Sequence, residues 1–141
     1  MKKTLMKALL GTALLIPAVS SANEKNLMVV VTSGDSMTQL MSMVLGTQSK
    51  KQGANVDILF CGKAADLVVK GSQEVKFKPK GMSPQMLLNN LIKNGANVEV
   101  CPPYLPNSNK TKADLISGVK VAKPPMVAKK LLDDNTKILS Y

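Results

Sequence analysis

Apolar residues fall along this chain in two alternating patterns, and the alternation itself predicts a fold class. Leu27-Met28-Val29-Val30-Val31 is an unbroken apolar run closed by Thr32. Such a β-branched run predicts a strand covered on both faces, as in a parallel sheet. Thr32-Ser33-Gly34-Asp35-Ser36 turns the chain, with Asp35 or Ser36 placed as a helix N-cap. Met37, Leu40, Met41, Val44 and Leu45 then recur at helical spacing, which puts Met37 and Met41 on the core stripe. The helix fades at Lys50-Lys51-Gln52-Gly53, and Val56 to Cys61 forms a second strand. One strand–helix–strand unit is complete within about 35 residues, the usual size.

The same alternation continues. A short helix is expected over Ala64 to Val69, then a lysine-rich mobile loop from Lys70 to Gly81. Ser83-Pro84 signals a helix start, a capping hydroxyl followed by proline in the first turn, and Asn94-Gly95 ends that helix. Ala96 to Val100 alternates like a short strand and must stop at Cys101, because Pro102 and Pro103 cannot donate to a ladder. Gly-Ala-Asn-Val occurs at 53–56 and again at 95–98, each time joining a helix end to a strand. Pro102 to Lys112 reads as a loop, Ala113 to Ser117 as a brief helix stopped by Gly118, and Val119 to Val121 as a short strand. A helix opened by Pro124-Pro125 and a closing strand over Lys137 to Tyr141 finish the chain. Strands alternating with helices predict a three-layer α/β/α sandwich on a mostly parallel sheet of about five strands, with right-handed crossovers.

The first residues bear on compartment. Lys2, Lys3 and Lys7 form a basic start, Ala8 to Val19 is apolar, and Ser20-Ser21-Ala22 offers small residues to a signal peptidase. Residues 1–22 are therefore expected to be a signal peptide cleaved after Ala22, and 23–141 a single domain in the periplasm. The apolar run is shorter than the ~20 residues of a membrane span. Removing the leader lowers the formal charge from +10 to +7.

Composition narrows the chemistry. Every basic residue is lysine, and there is no arginine, histidine or tryptophan. Nucleic-acid recognition leans on arginine forks and stacking aromatics, so no nucleic-acid partner is expected. The lack of histidine excludes Ser-His-Asp and Cys-His pairs and histidine-ligated zinc. The 32–36 turn lacks the spaced glycines of a nucleotide fingerprint, so no phosphate cofactor is expected.

Cys101 and Cys61 remain, both at strand carboxyl ends, the edge where open α/β sheets gather ligands. A reactive thiolate needs cations or free amides nearby, and Lys110 and Lys112 are candidates to stabilise one at Cys101. The competing reading is a buried, inert cysteine filling the sheet edge. In an oxidising compartment the two cysteines invite a disulfide. If the first strand lay between the second and third, their ends would stand about 10 Å apart, beyond the ~7 Å Cα limit, and a loop would have to bend inward. A bridged pair would act as a redox-labile or structural staple and leave no free carrier thiol. Met37, Met41, Met43, Met82 and Met86 raise a soft-metal alternative, since thioethers with thiolates suit Cu(I).

The order of these signals resembles the DsrE/DsrF-like family, the YchN/TusD-type sulfur-relay fold. The resemblance rests on Leu27–Thr32, Gly53–Val56, Gly95–Val98, Cys101, Gly118–Val119 and Ile138–Tyr141. It implies a persulfide carried on Cys101, a donor and an acceptor protein, and assembly as a homo-oligomer, a trimer or hexamer. Two departures stand out: the chain is expected to be exported, whereas sulfur-relay members work in the cytoplasm, and Pro102 and Pro103 remove backbone donors beside Cys101. The expectation is an exported sulfur carrier or thiol-redox protein using Cys101, with Cys61 as a second thiol. The alternatives are an oligomeric scaffold or small-ligand binder, and a Cu(I) binder.

Overall fold

The apolar runs become the strands of one parallel sheet. In the computed structural model, which describes residues 24–141, these are β1 (Asn26–Val31), β2 (Asn55–Phe60), β3 (Asn97–Val100), β4 (Val119–Val121) and β5 (Thr136–Ser140). The signal peptide expected over 1–22 lies outside the described residues. The strand order is β4-β3-β2-β1-β5, with every neighbouring pair parallel. The chain steps outward from β1 through β2 and β3 to β4, then returns across the sheet to lay β5 on the far side of β1. Reversing direction with right-handed crossovers changes face. Thus α1 (Ser36–Lys51) and α2 (Pro84–Lys93) pack together on one face, and α4 (Pro124–Leu131) lies on the other. A short α3 (Tyr104–Asn107) forms inside the stretch read as loop, where Leu105 and Tyr104 are buried.

Strand alternation assigns the two cores. Val29, Val31, Ile58, Phe60, Val98 and Val100 face α1 and α2, where Met43, Leu88 and Leu91 meet them. Met28, Leu59, Ala122 and Val127 form a smaller cluster beneath α4. Lys130 of α4 reaches the sheet there, binding Asp57 of β2 and lying 3.5 Å from Glu99 of β3. Burial alone would pull the Lys130 ammonium down, but its hydrogen bond to Asp57 and the charges of Asp57 and Glu99 outweigh that and hold it above the ordinary lysine value.

The buried side of α1 differs from the stripe its spacing predicts. Gln39, Ser42, Met43 and Gly46 face the core, whereas Met37 is 63% and Met41 50% exposed. The buried polar groups are satisfied locally: Gln39 Nε2 donates to the Ser33 carbonyl and Ser42 Oγ to the Gln39 carbonyl. With those hydrogen bonds made, burying them carries no desolvation penalty large enough to rotate the helix. The caps follow the sequence: Asp35 accepts from Thr38 N, and Ser83 Oγ accepts from Met86 N ahead of Pro84.

The stretch expected as a mobile loop is tied down. Gln85 Nε2 donates to the Gln73 carbonyl, Ser83 Oγ to Glu74, and Phe77 pairs with Met82. At the other connector, Gly118 has φ +89°, and a Cβ there would stand 2.5 Å from Ile92 Cγ2. Backbone conformation and close approach both require glycine at this step.

Candidate functional site

Cys61 and Cys101 each sit one residue beyond a strand and are still held in the ladder. Cys61 N donates to the Val31 carbonyl, and Cys101 N to the Phe60 carbonyl. The register of β2 against β3 runs from Asp57↔Asn97 to Phe60↔Val100, so the next facing pair is Cys61 and Cys101. Facing residues of parallel neighbours point to the same side, and strands lie about 4.8 Å apart. The Cα atoms are accordingly 5.1 Å apart, inside the disulfide range, and the two cysteines are bonded to each other.

This corrects the strand order on which the 10 Å separation depended. β1 lies beyond β2, not between β2 and β3, so no loop has to bend. Cys101 is therefore a disulfide partner, and neither it nor Cys61 is a free thiol. The copper reading loses its thiolates for the same reason. Its methionines are also dispersed: Met43 is buried, while Met37, Met41 and Met86 lie exposed on the outer helices.

The bridge is half-buried. It packs inward on the Met28–Leu59 cluster and opens outward to a hollow of about 450 Å³. Lys63, Asp66 and Tyr104 share the walls of that hollow with both cysteines. Tyr104 is placed by the Pro102-Pro103 turn, in which its amide donates to the Cys101 carbonyl at 3.1 Å. Its hydroxyl donates to Asp66 Oδ1 at 2.6 Å. Burial, together with the hydrogen bond to Asp66 and its charge, pushes the Tyr104 phenol up to about 12.

The lysines stand elsewhere than expected. Lys110 lines a second hollow of about 460 Å³, and Lys112 lines a third, beside Lys120 and Lys123 near α4. Neither lines the hollow of the disulfide. Lys63 does, two residues after Cys61 and separated from it only by Gly62. Composition hid this residue among the other lysines, but its adjacency to a strand-end cysteine was legible.

The two cysteines also differ in their backbone. Cys101 is followed by two prolines without N–H groups, whereas Cys61 is followed by Gly62 and Lys63, which keep theirs. Cys61 is thus the cysteine whose following residues keep their backbone donors and bring a lysine to the hollow.

No protein-family model matches the chain, and no curated protein matches it. Solved structures do. The crystal structure of YchN from E. coli aligns over 84% of this chain and 99% of its own, at 17% identity and a TM-score of 0.67. A protein of unknown function from Methanobacterium thermoautotrophicum, MTH1491, aligns over 84% of this chain and 100% of its own, at 12% identity and a TM-score of 0.64. Identities this low speak to architecture alone, and on that the two agree: the chain has the α/β fold of YchN and MTH1491, the DsrE/DsrF-like fold that the sequence resemblance implied.

Proposed function

We propose that this protein handles sulfur by thiol–disulfide exchange, with Cys61 and Cys101 as the reacting pair. The observation that carries the reading is a half-exposed disulfide at the carboxyl edge of two adjacent strands, open to a hollow that holds a lysine. A bridge serving only as a staple needs no open approach to its sulfurs. The leader pattern at 1–22 supports export to the periplasm, where such a bridge persists.

Persulfide carriage on Cys101 fits the same pair. Hydrosulfide attacking Cys101 Sγ forms a new S–S bond there and breaks the bridge, and the electron pair leaves on Cys61. The products are a persulfide on Cys101 and a thiolate on Cys61, with no outside oxidant. A donor protein's persulfide anion attacking Cys101 Sγ likewise expels Cys61 and leaves a trisulfide; a thiolate attacking the donor's own cysteine sulfur then frees Cys101 as a persulfide and joins the donor to that thiol in a disulfide. An acceptor thiolate attacking the outer sulfur takes it and leaves Cys101 as a thiolate.

Intact mass spectrometry with alkylation tests both steps. Native protein should take up no alkylating agent until a mild thiol opens the bridge, and then two equivalents. Sulfide treatment should leave one extra sulfur on the peptide containing Cys101. A bridge that survives millimolar thiol at neutral pH in the folded protein would overturn the exchange reading. An extra sulfur found only on the Cys61 peptide would overturn the assignment of the carrier.

Assembly into a homo-oligomer, implied by the resemblance, has a physical basis in the exposed Met37, Met41 and Met86 on the paired helices α1 and α2. Exposed thioethers make an adaptable apolar contact surface. We propose a second copy as its occupant; light scattering on wild type and Met41→Lys should show a multimer that the charge disperses. Among the described residues, no helix is long and apolar enough to cross a membrane.

A further inference from the structure

The hollow containing Lys110 adjoins that of the disulfide, with Lys63, Asp66 and Tyr104 in the walls of both. Its volume, about 460 Å³, lies in the range that takes a small molecule. Three lysines, Lys63, Lys70 and Lys110, line it with one carboxylate, Asp66. Hydrogen bonds from Thr111 hold the nearby Asp114 carboxyl low and the charges of Lys110 and Lys70 also help, so cations outnumber carboxylates three to two. Asp66 is already engaged by Tyr104 at 2.6 Å and by Lys63 at 3.9 Å. Lys70 donates to the Ala113 carbonyl at 2.6 Å, which fixes its direction and leaves two of its donors unused. This end of the cleft therefore suits a carboxylate.

Two amide side chains add a second requirement. Gln85 Oε1 is buried without a hydrogen-bond donor, and the bond from Gln85 Nε2 to the Gln73 carbonyl at 2.7 Å fixes which way the amide points. Gln39, only 5% exposed, spends its Nε2 on the Ser33 carbonyl at 3.0 Å and lines the same cleft. An acceptor left buried and unpaired is costly, and a ligand N–H relieves that cost.

We infer that the cleft binds a small anionic peptide thiol, its carboxylates held by Lys70 and Lys110, its N–H groups by Gln85 and Gln39, and its sulfur delivered to the Cys61–Cys101 bridge. This rests on the exchange reading and names its substrate class. The bound thiolate attacks Cys101 Sγ, forming a mixed disulfide and expelling Cys61 as a thiolate beside Lys63. A second thiolate attacks the sulfur of the bound peptide and releases Cys101. In sum, two thiols are oxidised to one disulfide and the protein bridge is reduced to two thiols, so atoms and electrons balance.

The test uses oxidised full-length mature protein and three probes: glutathione, 2-mercaptoethanol, and S-methylglutathione, which cannot react. At equal thiolate concentration, glutathione should open the bridge at least tenfold faster than 2-mercaptoethanol and show saturation. S-methylglutathione should bind by calorimetry and inhibit the glutathione reaction. Lys70→Gln/Lys110→Gln should lose the preference, read as the ratio of the two thiols' rates on the same variant. Equal rates for the two thiols, no binding of S-methylglutathione, or a preference that survives the double substitution would overturn the inference while leaving exchange standing. Binding of S-methylglutathione to a bridge that no thiol opens would overturn exchange and leave the anionic peptide ligand standing.

Discussion

Opening the Cys61–Cys101 bridge should cost the fold a large and calculable share of its stability. The cysteines are 40 residues apart in the chain. In the chain-entropy account, a cross-link closing a loop of that length removes roughly 13 cal/mol/K from the unfolded ensemble, about 4 kcal/mol at 25 °C. Little is lost on the native side, because the β2–β3 ladder already holds both residues in register when the sulfurs are apart. A domain the size of residues 24–141 unfolds with an entropy of roughly 250 cal/mol/K, so the expected fall in Tm is about 15 °C. The assay is circular dichroism melting of oxidised protein, protein in reductant, and the Cys61→Ala/Cys101→Ala variant. Reduced and variant proteins should melt close together and well below the oxidised one. Reduced protein melting within about 3 °C of oxidised protein would show that the bridge does not restrict the unfolded chain as calculated.

Three further outcomes follow from particular contacts. Lys130→Met leaves Asp57 and Glu99 beneath α4 without their cation, and urea unfolding should show a loss of about 1–3 kcal/mol, partly recovered by adding Asp57→Asn; a change under about 0.5 kcal/mol would refute the pairing. Because Lys130 titrates above the ordinary lysine value, its contribution is complete below about pH 10 and is lost as pH rises through the folded value. Gly118→Ala meets both a positive φ and Ile92, so it should cost about 2–3 kcal/mol in the same assay, with Ile92→Ala relieving the steric part. Tyr104 and Tyr141 are the two tyrosines, and ultraviolet titration should show one ionising late, near 12; Tyr104→Phe should remove that step, and the stability it carries is present below about pH 10 and lost as pH rises to 12.

Local pattern settled the architecture. Unbroken apolar runs such as Leu27–Val31 report burial on both faces, and caps such as Asp35 and Ser83-Pro84 mark helix starts through bonds within a few residues. Strand ends at Cys61 and Cys101 were legible too, the second because proline cannot extend a ladder. Which strands lie side by side is a different kind of fact. Consecutive strands are neighbours more often than not, and that tendency alone would have placed β2 beside β3.

The site was decided by tertiary structure. Cys61 meets Cys101 because the β2–β3 register is offset by 40 residues. The repeated Gly-Ala-Asn-Val segments, 42 residues apart, would have staggered the cysteines if matched to each other. The same holds for α1, whose apolar residues spread around much of its circumference, so that packing against α2 and the sheet chose the Gln39–Met43–Gly46 side. Lys110 and Lys112, two residues apart in the chain, end in different hollows, while Lys63 joins the disulfide. Periodicity records what covers a residue; the identity of its neighbour depends on how distant segments pack, and one chain alone does not encode that as a local pattern.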